Sequence, residues 1–259
     1  MKCSNVLLLV LVCFALCACA GLEPVDGAQG RGTTSSVALG LERAALEAEQ
    51  AGDIGQALVF RERLYERDPE NPLNALSYAR LLREAEHLNR ALIVLSPFVQ
   101  MDGVPAGVFR EFAMIQLAMG RYQEADRFAR RAIAQESQDF RAYHVLGISL
   151  DARGLHKEAE TVFRKSLEHW EGDPVPVMNN LALNLVSQGY LDEAMDILRR
   201  ALVLAPDRSD VERNLRIVSR LQANQFTRVR PNASDSSDSS VLPPVPPRKP
   251  VLAGSGSGQ

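Results

Sequence analysis

Four cysteines and four histidines are the residues of this 259-residue chain with the widest chemical reach. Cys3, Cys13, Cys17 and Cys19 all fall in the opening stretch MKCSNVLLLVLVCFALCACAGLEP, and the 240 residues after Cys19 contain no thiol. A metal site built from Cys13, Cys17 and Cys19 would sit in an apolar run with no histidine or acid before Glu23. His87, His144, His156 and His169 form no H-E-x-x-H and no i, i+4 pair. The one dense glycine run, GSGSG, closes the chain rather than joining a strand to a helix. A Ser-His-Asp set assembles from distant positions and leaves no local signature. The expectation is therefore a protein without catalytic residues, metal or cofactor. A formal net charge of −3, with both signs dispersed, adds no basic excess for nucleic acid. No pattern calls for a small-molecule substrate.

The cysteines make sense as an address. Lys2 precedes an apolar run from Val6 to Ala15, and small residues follow at Ala18, Ala20 and Gly21. The stretch from Val6 to Ala20 is about 15 residues, short of the roughly 20 that cross a bilayer, so it reads as a secretory leader. Leu16-Cys17-Ala18-Cys19 resembles the lipobox of bacterial lipoproteins, in which a signal of residues 1–18 is removed and the next cysteine is lipidated. Cys17 is the rival site, but Leu16 is bulky where the motif takes a small residue. By that resemblance Cys19 carries a diacylglycerol thioether and an N-acyl (palmitate-type) chain. Each buried methylene adds about 0.8 kcal/mol of membrane affinity. Ala20 after the cysteine implies an outer-membrane location, facing the periplasm.

Residues 19–37 read as a lipidated flexible tether, rich in Gly, Ser and Thr with no apolar period. Residues 224–259 turn to Ser, Asp and Pro and are expected to be disordered. LPPVPPR, residues 242–248, has a PxxP core with a trailing cation, and suits a stiff, extended spacer.

Between the tails the chain repeats. Gly52, Glu86, Gly120 and Gly154 are 34 residues apart, and Gly189 follows 35 later. Ala57, Ala91, Ala125, Ala159 and Ala194 keep step, as do Ala45, Ala79, Ala113, Gly147 and Ala182. Leu146 and Leu150 form an i, i+4 apolar stripe on one helix, and Ala159, Phe163 and Leu167 form another on the next. Small residues at Gly147 and Ala159 let the two helices approach, and Gly154 supplies the turn between them. A single pair leaves an apolar face bare, so the next must cover it.

AYHVLGISLDARGLHKEAETVFRKSL, and MNNLALNLVSQGYLDEAMDILRRALVLAP closing on Pro206, resemble tetratricopeptide repeats. The expected fold is all-α, a right-handed solenoid of five units at 38–71, 72–105, 106–139, 140–173 and 175–208, with Pro174 inserted. A capping helix follows at 209–223. The second unit departs most from the pattern, with Glu86 at the turn. In such repeats, set positions of the first helix face a concave groove. Carried onto this chain they are Arg80, Arg110, Arg141, His144, Asn179 and Asn180, with Asn214 at the phase of Asn180. An amide there can grip a peptide backbone because it both donates and accepts. The complete basic clamp of peptide-binding members is absent.

The lipobox, about five repeats and the ending NNLALNLVSQGYLDEAMDILRRAL…RNLRIVSRLQ resemble the TadD family, lipoproteins of the tight-adherence (Flp) pilus machinery, over residues 38–222. That resemblance implies a non-enzymatic outer-membrane scaffold whose partners are pilus secretion proteins such as the secretin. A type IV pilus lipoprotein acting as a secretin pilotin, and an adaptor for peptidoglycan-modifying enzymes, share the architecture.

Overall fold

The computed structural model describes the backbone of residues 28–229 and the side chains of residues 36–224. The leader, Cys19, residues 19–27 of the tether and the tail beyond Val229 lie outside the described residues. Among the described residues there are eleven α-helices and no strand. They are α1 (Ala28–Gln50), α2 (Ile54–Arg67), α3 (Pro72–Glu84), α4 (Leu88–Leu95), α5 (Ala106–Ala118), α6 (Tyr122–Gln135), α7 (Phe140–Ala152), α8 (His156–Glu168), α9 (Val175–Gln188), α10 (Leu191–Leu204) and α11 (Ser209–Val229). The chain divides into two units between Gly40 and Leu41, and the second carries the array of packed helices.

Each helix pair closes through the same turn. The backbone N–H groups of Asp53, His87, Arg121, Leu155 and Tyr190 donate to the carbonyls of Ala48, Leu82, Gln116, Leu150 and Leu185, five residues back, at 2.7–3.0 Å. This 6→1 bond requires a left-handed residue just before it. Gly154 takes φ +79°, and Glu86 adopts the same conformation at φ +62°. Glu86 therefore makes the turn that a glycine makes elsewhere, at the steric cost of a Cβ.

The departure in the second unit lies further on. α4 has only 8 residues, because Pro97 lacks an N–H and its ring opposes the carbonyl four residues back. A short 3₁₀ turn, Phe98–Gln100, follows. Its Phe98 and Val99 are buried, so the core continues through the interruption.

Two boundaries differ from expectation. α1 begins at Ala28, ten residues inside the expected tether, and α11 runs to Val229 rather than ending at 223. No proline falls within 28–68 or 207–230, so none stops α1 from starting early or α11 from running on. The inserted Pro174 is absorbed before α9, in a turn where Gly172 takes φ +88°.

The ten small residues at the two repeating phases sit within the packed helix pairs. All nine alanines are fully buried, and a Cβ on Gly147 would stand 2.6 Å from the Phe163 ring. Consecutive helices pack along the chain, and alternate inner helices also touch: α3 with α5, α5 with α7, α7 with α9 and α9 with α11. The main core is one continuous strip from Ala75 to Val218, and Ala48, Ala57 and Leu81 form a smaller cluster at the first helix pair. That stacking of like units is the solenoid.

Candidate functional site

The seven polar side chains expected on the inner helices are placed by α3, α5, α7, α9 and α11, and six of them have side-chain hydrogen-bond partners within the protein. Asn180 Nδ2 donates to His144 Nε2 at 2.9 Å. Asn214 Nδ2 donates to Asn179 Oδ1 at 2.7 Å. The equal phase of Asn180 and Asn214 thus does not bring them together as a pair. His144 and Asn179 occupy the fifth position of their helices, Asn180 and Asn214 the sixth position of the next. Adjacent inner helices cross at an angle, so a residue faces one position further along its neighbour.

His144 is 3 % exposed, and burial pushes its pKa down to about 3. It is neutral at ordinary pH. Because Nε2 accepts from Asn180, the proton sits on Nδ1. The ring packs edge-on to Trp170 at 5.5 Å, and Trp170 packs on Phe140 at 4.9 Å. Asn179 is fully buried, and its Nδ2 has no hydrogen-bond partner. An unsatisfied buried amide donor costs about 1–3 kcal/mol.

Two of the three arginines are paired with carboxylates. Arg80 Nη2 meets Glu49 at 2.5 Å, and Arg110 Nη1 meets Asp139 at 2.5 Å. Asp139 also caps α7 by accepting from the Ala142 N–H at 3.0 Å. Arg141 lies over the Phe140 ring at 5.2 Å and lines, with Arg110, Asp139 and Glu171, an open pocket of about 560 Å³. A carboxylate ligand at Arg80 or Arg110 would have to share the guanidinium with an internal partner.

Two polar networks lie outside the expected groove positions. Arg83 and Glu111 form a buried ion pair at 2.5 Å between α3 and α5. Further along, Asp151 Oδ1 takes both His156 Nδ1 at 2.7 Å and Asn184 Nδ2 at 2.8 Å. Gln188 then bridges Asn184 and Glu160, at 2.9 and 2.8 Å. Arg164 joins Glu160 to Glu193, each at 2.8 Å. Burial opposes ionisation of Glu160, but hydrogen bonds from Arg164 and Gln188 outweigh it and hold the carboxyl below its usual range. This chain of contacts ties α7, α8, α9 and α10 across two repeats. A signal for it was present: Asn184 shares its phase with Leu81, Ile115 and Ser149, all buried, so a polar residue there needs an internal partner.

On the outer face, between α8 and α10, lies an open groove of about 910 Å³. Leu167, Met178, Leu181 and Ile197 line it, with Val203 and Leu204 at one end. Among the described residues no group of three or more His, Cys, Asp or Glu could hold a metal ion, and no helix is long and apolar enough to cross a membrane.

Comparison with known proteins bears on the array alone. Residues 141–165 and 177–205 each match a tetratricopeptide repeat model. A thermophilic TPR protein of Thermus thermophilus is 20 % identical with a TM-score of 0.60, over 70 % of this chain and 98 % of that one. MamA is 21 % identical with a TM-score of 0.53, covering 69 % and 96 %. YrrB, described as a TPR protein with an unusual peptide-binding site, is 15 % identical with a TM-score of 0.53, covering 73 % and 97 %. No curated protein matches the sequence significantly. The turns, the buried small residues and these likenesses converge: the chain carries tetratricopeptide repeats, and its helices have the tetratricopeptide solenoid fold.

Proposed function

We propose that this protein is a non-catalytic scaffold that binds protein partners, held at the outer membrane by lipid on Cys19 and assisting assembly or positioning of tight-adherence pilus components such as the secretin. The observation that carries the scaffold reading is the continuous strip of stacked repeats, whose inner helices present side chains from several units to one partner. The pilus reading is supported by the TadD-type resemblance over 38–222, and the membrane reading by Leu16-Cys17-Ala18-Cys19. The peptide-binding site named for YrrB supports a peptide segment as ligand. Internal pairing of Arg80 and Arg110 argues for a segment read through its backbone and apolar side chains rather than through a terminal carboxylate.

A pull-down against the cognate secretin tests the partner. Wild-type chain is expected to retain it, and the Asn180→Ala, Asn214→Ala double variant to lose it with an unchanged helical spectrum. Equal capture by both removes the inner face from the interaction. Cys19→Ser is expected to release the protein from membranes while Cys17→Ser is not; the reverse result moves the anchor to Cys17. A gene neighbourhood of peptidoglycan synthases or hydrolases, in place of a secretin, secretion ATPase and Flp-type pilins, would overturn the pilus assignment in favour of the adaptor.

A further inference from the structure

The outer groove between α8 and α10 leaves Val203 and Leu204 80 % and 60 % exposed beside an apolar floor. Apolar surface gathered in a concave strip excludes water only when something covers it. The chain beyond α11 has the composition for such a cover. Residues 241–252 read VLPPVPPRKPVL: branched apolar side chains and prolines, no acid, and two cations at Arg248 and Lys249. Prolines hold a segment extended beforehand, which lowers the entropy lost on docking.

The reach is sufficient. Ser219 Oγ contacts Met195 Sδ at 3.4 Å, and Gln222 donates to Asp192, so the later turns of α11 run beside the start of α10. Glu193, next in sequence to Asp192, belongs to the groove wall. From Gln222 to Val229 the helix advances only about 10 Å. The twelve residues that follow span up to about 40 Å when extended, nearly twice the roughly 21 Å length of a 14-residue helix such as α10. Charge gives one contact. Of the groove's carboxylates, Glu193 pairs with Arg164 and Asp196 with Arg199, so Glu168 is the one open to Arg248 or Lys249.

We propose that residues 241–252 dock along the groove between α8 and α10 of their own chain, with Leu242 and Val245 against its apolar floor. The proline-rich segment is then an internal ligand, and an external partner for this groove competes with it. The test compares leucine and valine methyl spectra of the full chain with those of a full chain carrying Leu242→Asp and Val245→Asp. Shifts confined to Leu167, Leu181, Val203 and Leu204 are expected. In the reciprocal variant, Leu204→Asp, trypsin should cut after Arg248 at least ~10-fold faster than in wild type, since cleavage follows the undocked population. Circular dichroism checks that both variants keep their helices. Unchanged groove methyls, or shifts at Leu183 of the inner face instead, would overturn the proposal. Shifts that grow with protein concentration would overturn it too, by assigning the tail to a second copy.

Discussion

Arg61 in the first repeat and Phe163 in the fourth occupy the same phase, three 34-residue periods apart, and both are buried. In the fourth repeat the site is apolar. Phe163 lies over Gly147 so tightly that not even a methyl group fits between them, and His144 stands 6.1 Å from its ring. In the first repeat the guanidinium of Arg61 reaches Glu42 at 2.7 Å and Glu49 at 2.8 Å. One position of one fold is therefore filled by packing in the middle of the array and by ions near its beginning. The first site tolerates charge because Glu42 stays 43 % exposed, so part of its hydration is kept. The fourth site, walled by repeats on both sides, offers no such relief. Even its histidine stays neutral.

The largest expected effect comes from emptying the packed site. Phe163→Ala should cost about 3–5 kcal/mol, read as a lowered urea midpoint, because the neighbouring helices cannot close over a lost ring. Acid attacks the same repeat. The unfolded His144 takes up a proton near pH 6.5, whereas the folded one does so only at about 3. Stability is thus fully present above pH 6.5 and falls with pH, by up to about 1.4 kcal/mol per pH unit, until pH approaches 3. Urea titrations across that range should show a slope that His144→Phe flattens; an unaltered slope would mean that other groups govern acid unfolding.

Overfilling the packed site is expected to cost less than emptying it. Gly147→Ala should destabilise by about 1–3 kcal/mol, since the ring must move, and pairing it with Phe163→Leu should recover part of that loss. Arg61→Met tests the ionic end. Removing one partner of a buried ion pair is costly when the other is left uncompensated, but Glu42 is 43 % exposed and Glu49 keeps Arg80, so the loss should stay near about 1 kcal/mol. A penalty equal to that of Phe163→Ala would erase the contrast between the two repeats. The smallest change is at the turn. Glu86→Gly should raise the thermal midpoint slightly, by about 1 kcal/mol in stability, because φ +62° is free for glycine and strained for glutamate. No gain there would mean that the unfolded-state entropy of glycine cancels the relief.

Much of this molecule could be read from spacing. The turn after four of the five first helices follows from Gly52, Gly120, Gly154 and Gly189, and the close approach of paired helices follows from the buried small residues. The interruption at Pro97 was legible in principle, since proline acts locally. Glu86 is the more conspicuous departure from the repeat, yet its conformational penalty is small enough for tertiary packing to override. The candidate groove was legible only in part. Phase put Asn180 and Asn214 in one class, but their hydrogen bonds go to His144 and Asn179, because the pairing depends on how neighbouring helices cross. Arg61 was marked only by being polar at a phase that is apolar in the other repeats, and Asn184 by being polar at a phase that is buried in the second, third and fourth.

By itself the sequence determined the helical pairs, their period and their turns, because glycine, proline and small-residue effects act through backbone geometry within a few residues. Tertiary structure alone decided which polar groups on those helices are available. A hydrogen bond or ion pair joins residues about one repeat apart, and whether two such groups meet depends on crossing angle and burial, neither of which is carried in local sequence. That decision left Arg80 and Arg110 paired, His144 neutral and the groove between α8 and α10 open.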